Sequence, residues 1–236
     1  MTGAPRTHPR RAATVLAVAS FAVAGAFAHA PAEPLPPAAS AVLKHRFPEL
    51  RVLSRAAGEL HADGVRDLVV VLGRGERGAR IVSVLWGDAN GGWRFADASG
   101  DIDAACPGCD VSVRLRGRQL EVSASDPGDA TASVHAWRFA YRGVKGNVLR
   151  LVGVRNEQIW HGEGDGGGVD NVASTDLLTG DKTDVIAGDL HGRNERREAA
   201  TRVPLRQPVL FDQFSFDLKG APAESRFVFG RDFTRR

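Results

Sequence analysis

Two short stretches of the sequence gather side chains that could do chemistry by their type and spacing alone. Cys106-Pro107-Gly108-Cys109 holds the only two cysteines of the 236-residue chain. Thiols separated by two residues can close a small disulfide loop, which rigidifies a turn more than it stabilises a fold. The same spacing can poise a thiol for exchange at a helix N-terminus. That use wants a strand–helix–strand context, whereas the residues flanking this pair alternate as strands do. Structural zinc would need two further ligands, and no second C-x-x-C supplies them. Haem attachment would need a histidine where Asp110 stands. A Cys106–Cys109 disulfide is the expectation, with thiol-redox chemistry, a bound metal and free thiols as the competing readings.

The second stretch runs through a glycine-rich segment, where His161, Glu163, Asp165 and Asp170 fall within ten residues. An imidazole with several carboxylates could hold a metal, or pair a base with one, as a secreted metal-dependent hydrolase requires. The competing reading is a solvated loop tip, since the glycines favour irregular backbone. No G-x-S-x-G turn, H-E-x-x-H helix or phosphate-cradling glycine loop occurs elsewhere.

A third segment, Gly58–Leu72 (GELHADGVRDLVVVL), carries a family likeness. It resembles the opening of FG-GAP or VCBS-type units, where D-x-N-x-D-G-x-x-D precedes a buried apolar strand. In that family the carboxylates and amide bind calcium, and the glycine permits the sharp turn. Asp63, Gly64 and Asp67 stand at the second aspartate, the glycine and the last aspartate. Glu59 replaces the first aspartate and His61 replaces the Asn or Asp position. The resemblance thus implies a degenerate calcium loop of Glu59, His61, Asp63 and Asp67. Calcium wants six to eight hard oxygens, and an imidazole nitrogen suits it poorly. A softer ion such as zinc, using His61, is one alternative. The other is a turn that kept its shape without an ion, Asp63 and Asp67 bonding backbone N–H groups. The order of parts also resembles exported bacterial β-proteins with one such unit, a β-meander with aromatic strands, an L-T-G turn and a basic stretch. Leu178-Thr179-Gly180 and the Arg193–Arg206 region fit that order, which implies an envelope location and no particular activity.

The elements that must position these residues are strands. Leu68–Leu72 and Ile81–Trp86 are short, β-branched apolar runs bounded by glycine, and read as well-buried strands. Val111, Val113 and Leu115 alternate with polar residues. So do Leu120, Val122 and Ala124 after Gly117, a pattern that predicts an antiparallel hairpin with one dry face. Trp137, Phe139 and Tyr141 share a face with His135. Exposed, they would make a sugar-stacking strip, but the expectation for them is core, as for Trp86, Trp93 and Trp160. Further strands are expected at Val148–Val154, Val172–Leu178, Asp184–Ile186 and Phe214–Leu218. Ser40 is expected to cap a short helix ending at Phe47, before Pro48. His191–Arg202, polar and mixed in charge, reads as a loop, with a short helix or an exposed strand as alternatives, and the Arg193–Arg206 stretch could meet anionic polysaccharide or lipid headgroups if it is not simply solvated. The predicted fold is all-β: an antiparallel meander of nine or ten strands, forming a β-sandwich or a curled propeller-like sheet.

Export frames the function. Arg6, Arg10 and Arg11 precede an apolar run to Ala28 with A-x-A triplets, the build of a secretory signal peptide cut after Ala28. A Pro/Ala-rich leader at 29–39 and a single domain at 40–236 would follow. Removing the signal removes three arginines and leaves 28 basic against 28 acidic residues, which gives no support for nucleic-acid binding. After Ala28 no run approaches the ~18 apolar residues of a spanning helix, and no cysteine offers a lipid anchor. These features predict an exported, periplasmic or secreted, non-enzymatic binding or structural module of the bacterial envelope, its ligand or envelope partner unknown. A metal-dependent hydrolase and a thiol-redox protein are the alternatives. No catalytic residue is assigned, and calcium is the one cofactor in view.

Overall fold

The structure, a computed structural model, describes residues 34–61, 63–75, 78–103, 109–128, 131–142, 148–160, 168–190, 193–204 and 207–217. The signal, Cys106, the cluster of His161, Glu163 and Asp165, and Leu218 lie outside the described residues. All the described ones belong to a single unit.

The helix α1 (Pro37–Arg46) begins earlier than its sequence suggests. Pro37 takes the first helical position, where its missing N–H costs nothing and its fixed φ suits the helix. Ser40 is therefore not the cap: its N–H bonds back to the Pro36 carbonyl at 2.9 Å, inside the first turn. Residues 37–39 belong to the helix rather than to a leader, and Ala39 is fully buried.

Two open sheets follow. The first is built on β1 (Arg51–Gly58), β2 (Asp67–Gly73) and β3 (Ala79–Gly87). β4 (Trp93–Ala98) and β5 (Ile102–Asp103) share the far edge of β3, and β13 (Phe216–Asp217) adds a two-residue parallel pair to β5. The second is a pure antiparallel meander of seven strands in spatial order β12-β11-β10-β9-β8-β7-β6. These are β6 (Asp110–Arg116), β7 (Gln119–Asp126), β8 (Thr131–Arg142), β9 (Val148–Trp160), β10 (Val169–Asp176), β11 (Asp181–Leu190) and β12 (Arg193–Arg202).

Packing accounts for the residue patterns. β2 is apolar throughout because both its faces are covered. Val69 and Val71 join Val82, Val84 and Ile102 in a core shared with Val111, Val113, Leu120, Val122, Trp137 and Phe139 of the second sheet. Leu68, Val70 and Leu72 face the other way, onto Ala39 and Leu43 of α1. β6 and β7 alternate instead, since only one of their faces meets the core. Two sheets over one core make this a sandwich, not a curled single sheet.

Trp137 and Phe139 are core residues, 1% and 0% exposed, so they form no sugar strip. Trp160 departs from the same expectation and is exposed. β9 continues past the core that covers its first half, and β10, β11 and β12 flank that continuation as an arm. β12 is an exposed strand with its charges paired along each face, Arg197 with Glu195 and Arg196 with Glu198. Charges on an edge strand discourage pairing with another chain.

Candidate functional site

The loop between β1 and β2 gathers most of the residues picked out for chemistry. Its anchor is Asp67, fully buried as the first residue of β2. Its Oδ2 accepts the backbone N–H groups of Leu60 and His61, both at 2.8 Å, which folds the loop back onto the strand. Its Oδ1 is buried without a partner. Asp63 Oδ1 accepts the Val65 N–H at 2.9 Å, a local Asx-type turn that Gly64 completes at φ +79°. That backbone bond, with a smaller contribution from His61, lowers the Asp63 carboxyl pKa. The loop lies close on β3 because position 87 is glycine. A Cβ there would run into the Arg66 carbonyl oxygen and crowd Val65.

His61 leaves this loop as part of an aromatic group. Its ring stacks on Trp86 at 4.0 Å between centroids and 23° between planes, with the Tyr141 ring edge-on at 5.7 Å. Its Nδ1 lies 3.3 Å from Asp63 Oδ2. Trp86 donates its Nε1–H to the Tyr141 hydroxyl at 2.9 Å. The Arg94 guanidinium sits 4.1 Å from the Trp86 ring, which strand register explains, Trp86 and Arg94 being partners across β3 and β4. Burial drives the Tyr141 pKa upward, and the charges of Asp97 and Asp67 push the same way. Burial also raises Asp97, to about 6, helped by Asp212.

Glu59 does not join the loop. It pairs with Arg118 of the β6–β7 turn at 3.1 Å, near the surface. Of the four ligands implied by the family resemblance, Glu59 is turned to an arginine, Asp63 and Asp67 serve backbone N–H groups, and His61 is stacked. Among the described residues no three His, Cys, Asp or Glu side chains are placed to share one ion. This donor set does not fit calcium, which needs several converging oxygens.

Asp170 is the one described member of the second cluster. It lies on β10 with Oδ1 buried and unpartnered, its pKa raised by burial and by Glu157. Cys109 is buried in the shared core at the start of β6. The sequence reading missed two features. One is the His61–Trp86–Arg94 stack, visible only once β3 and β4 are in register. The other is a buried pair, His135 Nδ1 to Asn156 Oδ1 at 2.9 Å, across β8 and β9.

No protein-family model, curated protein or solved structure matches the chain.

Proposed function

We propose that this chain is an exported, non-enzymatic binding or structural module of a bacterial envelope, with the His61–Trp86–Arg94 surface as its contact site. One observation carries the reading. Asp63 and Asp67 accept backbone N–H groups of the loop and Glu59 pairs with Arg118, while an imidazole, an indole and a guanidinium are stacked where the loop meets β3 and β4. Such a group can recognise a partner by stacking and cation–π contact.

Peptidoglycan sacculi are a suitable probe, since they present sugar rings and carboxylates together. Residues 29–236 should pellet with sacculi, and Arg94→Ala, a surface change, should weaken that pelleting several-fold. Equal pelleting of the variant and the unsubstituted chain would sink the assignment of this surface. Export is tested separately. Cell fractionation should recover the chain outside the cytoplasm, with His29 as its first residue. We also propose that Cys106 and Cys109 form a local disulfide, supported by Cys109 not being a free thiol. Intact mass under non-reducing conditions should be lower by the two thiol hydrogens, and recovery of the full thiol mass would refute the bridge.

A further inference from the structure

The outer face of the second sheet gathers charge of one sign at one end. Trp137, Phe139 and Tyr141 of β8 turn to the core, so Arg138, Ala140 and Arg142 between them belong to the opposite face. Strand register then sets their neighbours. One row across the sheet reads Arg116, Gln119, Ala140, Arg150, and the next reads Arg114, Glu121, Arg138, Gly153. Arg142 follows on β8, opposite Val148. Side chains directly opposite across a ladder share a face. Five arginines of β6, β8 and β9 therefore stand together on this one face.

Their charge is not balanced locally. The two rows hold one carboxylate, Glu121, whose Oε1 lies 3.6 Å from Arg116 Nη2. At the border, Asp176 stands opposite Gly153, and its Oδ1 accepts the N–H groups of Leu178 and Thr179. Among the described residues Arg138, Arg142 and Arg150 make no ion pair. The sheet also accommodates two of these side chains closely. Gly153 has no side chain, so the Arg138 guanidinium lies against the β9 backbone, where a Cβ would sit 2.5 Å from its Nη2. Arg150 Nε is buried without a partner, a donor that gains free energy once an acceptor reaches it.

We propose that this face binds an acidic polysaccharide, as a contact surface separate from the His61–Trp86–Arg94 group. The arginine positions lie roughly 7 Å apart along a strand and roughly 10–14 Å apart across strands. Several acid groups of one linear chain can be met at once on that spacing. All five cations are arginine and none is lysine. The guanidinium fork meets two oxygens of a carboxylate or phosphate together, which a lysine does not. Gln119 and the Ser112–Ser123 hydroxyl pair, 2.9 Å apart on the same face, offer amide and hydroxyl groups to sugar hydroxyls. Nucleic acid would want rings on which to stack its bases, and the two rows carry no aromatic side chain. A membrane surface would want apolar side chains projecting beside the cations. Here Ala140 is buried, and Val148 at the edge is the one exposed large apolar residue described.

Biolayer interferometry of residues 29–236 on immobilised polymers tests this. Polygalacturonate and teichoic acid serve as probes, which separates carboxylate from phosphodiester as the acid group, with neutral dextran as the blank. At least one of the two should bind, and its affinity should fall at least roughly tenfold between about 50 and about 200 mM NaCl. Arg138→Gln with Arg150→Gln should weaken binding roughly tenfold. So should the more exposed pair, Arg116→Gln with Arg142→Gln, which keeps the test open if the first pair unfolds by circular dichroism. Arg196→Gln with Arg197→Gln removes the same charge from β12 and should leave affinity within about twofold. Binding of neither probe at the lower salt overturns the proposal. So does an equal loss in the β12 pair, since net charge alone would then be at work. Tighter binding of a single-stranded oligonucleotide or of phosphatidylglycerol vesicles through the same arginines overturns it too, and gives the face to nucleic acid or membrane.

Discussion

Asp67 and Asp63 sit in one loop, yet their removal should cost very different amounts. Asp67→Ala leaves two backbone N–H groups in a buried corner without an acceptor. That should cost about 2–4 kcal/mol, or roughly 5–15 °C of Tm for a domain of this size. Asp63→Ala removes one bond at an exposed turn and should cost under about 1 kcal/mol. Thermal unfolding of both variants by circular dichroism checks the ranking, and a reversal would mean that something other than Asp67 holds the loop. The same experiment reaches the ion question. An ion present at about 100 times its dissociation constant adds about 2.7 kcal/mol if it binds only the folded chain. With the carboxylates committed as described, EDTA followed by calcium should leave Tm within about 1 °C. A calcium shift lost in Asp63→Ala would reinstate the loop as an ion site.

At the scale of elements, α1 covers one face of the first sheet through few side chains, so single changes there should be felt. Leu43 is 5% exposed against Leu68, Val70 and Leu85. Leu43→Ala should cost about 2–4 kcal/mol, as other buried leucine truncations do, and urea unfolding would measure it. A cost below about 1 kcal/mol would mean that the helix is not docked as described. The β2, β6 and β7 strands were legible in the sequence because their faces differ in burial, and burial writes itself as continuous or alternating apolar residues. β1 was not legible: RVLSRAAG has a shallow, half-exposed pattern on a sheet edge. β12 was ambiguous for a related reason. A strand of Arg, Glu and Ala with no buried face carries no period that separates it from a helix. The site was half legible. Asp63, Gly64 and Asp67 announced the turn, but Arg94 and Tyr141 reach it through pairing and packing that local spacing does not encode. Trp160 was misread because an aromatic on an alternating strand normally faces the core, and here the strand outruns it.

For the molecule as a whole, half-buried carboxyls and one buried histidine set opposing pH dependences. Asp97, on β4, has its pKa raised from 3.8 to about 6 by burial, with Asp212 nearby. Its folded state prefers the proton, so its contribution is present below about 3.8 and lost as pH rises toward 6. Asp170, raised by burial and Glu157, acts in the same direction. His135, under Phe216 and beside Asn156, has its pKa lowered from 6.5 by burial, against smaller opposing contributions from Asn156 and Asp126. Its folded state prefers the neutral ring, so its contribution is present above 6.5 and lost as pH falls below it. Between about pH 4 and 6.5 the two slopes oppose, and the native chain should show a flatter stability profile than either group alone would give. Each substitution should unmask the other group. Asp97→Asn should leave a chain that weakens as pH falls below 6.5. It should also be more stable than the native chain at pH 8, by about 1 kcal/mol once solvent screening at a half-buried site is allowed for. His135→Gln, which can keep a bond to Asn156, should instead leave a chain that weakens as pH rises from 4 to 6. Tm measured from pH 4 to 8 on the three proteins would decide it. Parallel profiles would show that neither group changes its protonation between the folded and unfolded chain, and that the pH response belongs to the surface charges.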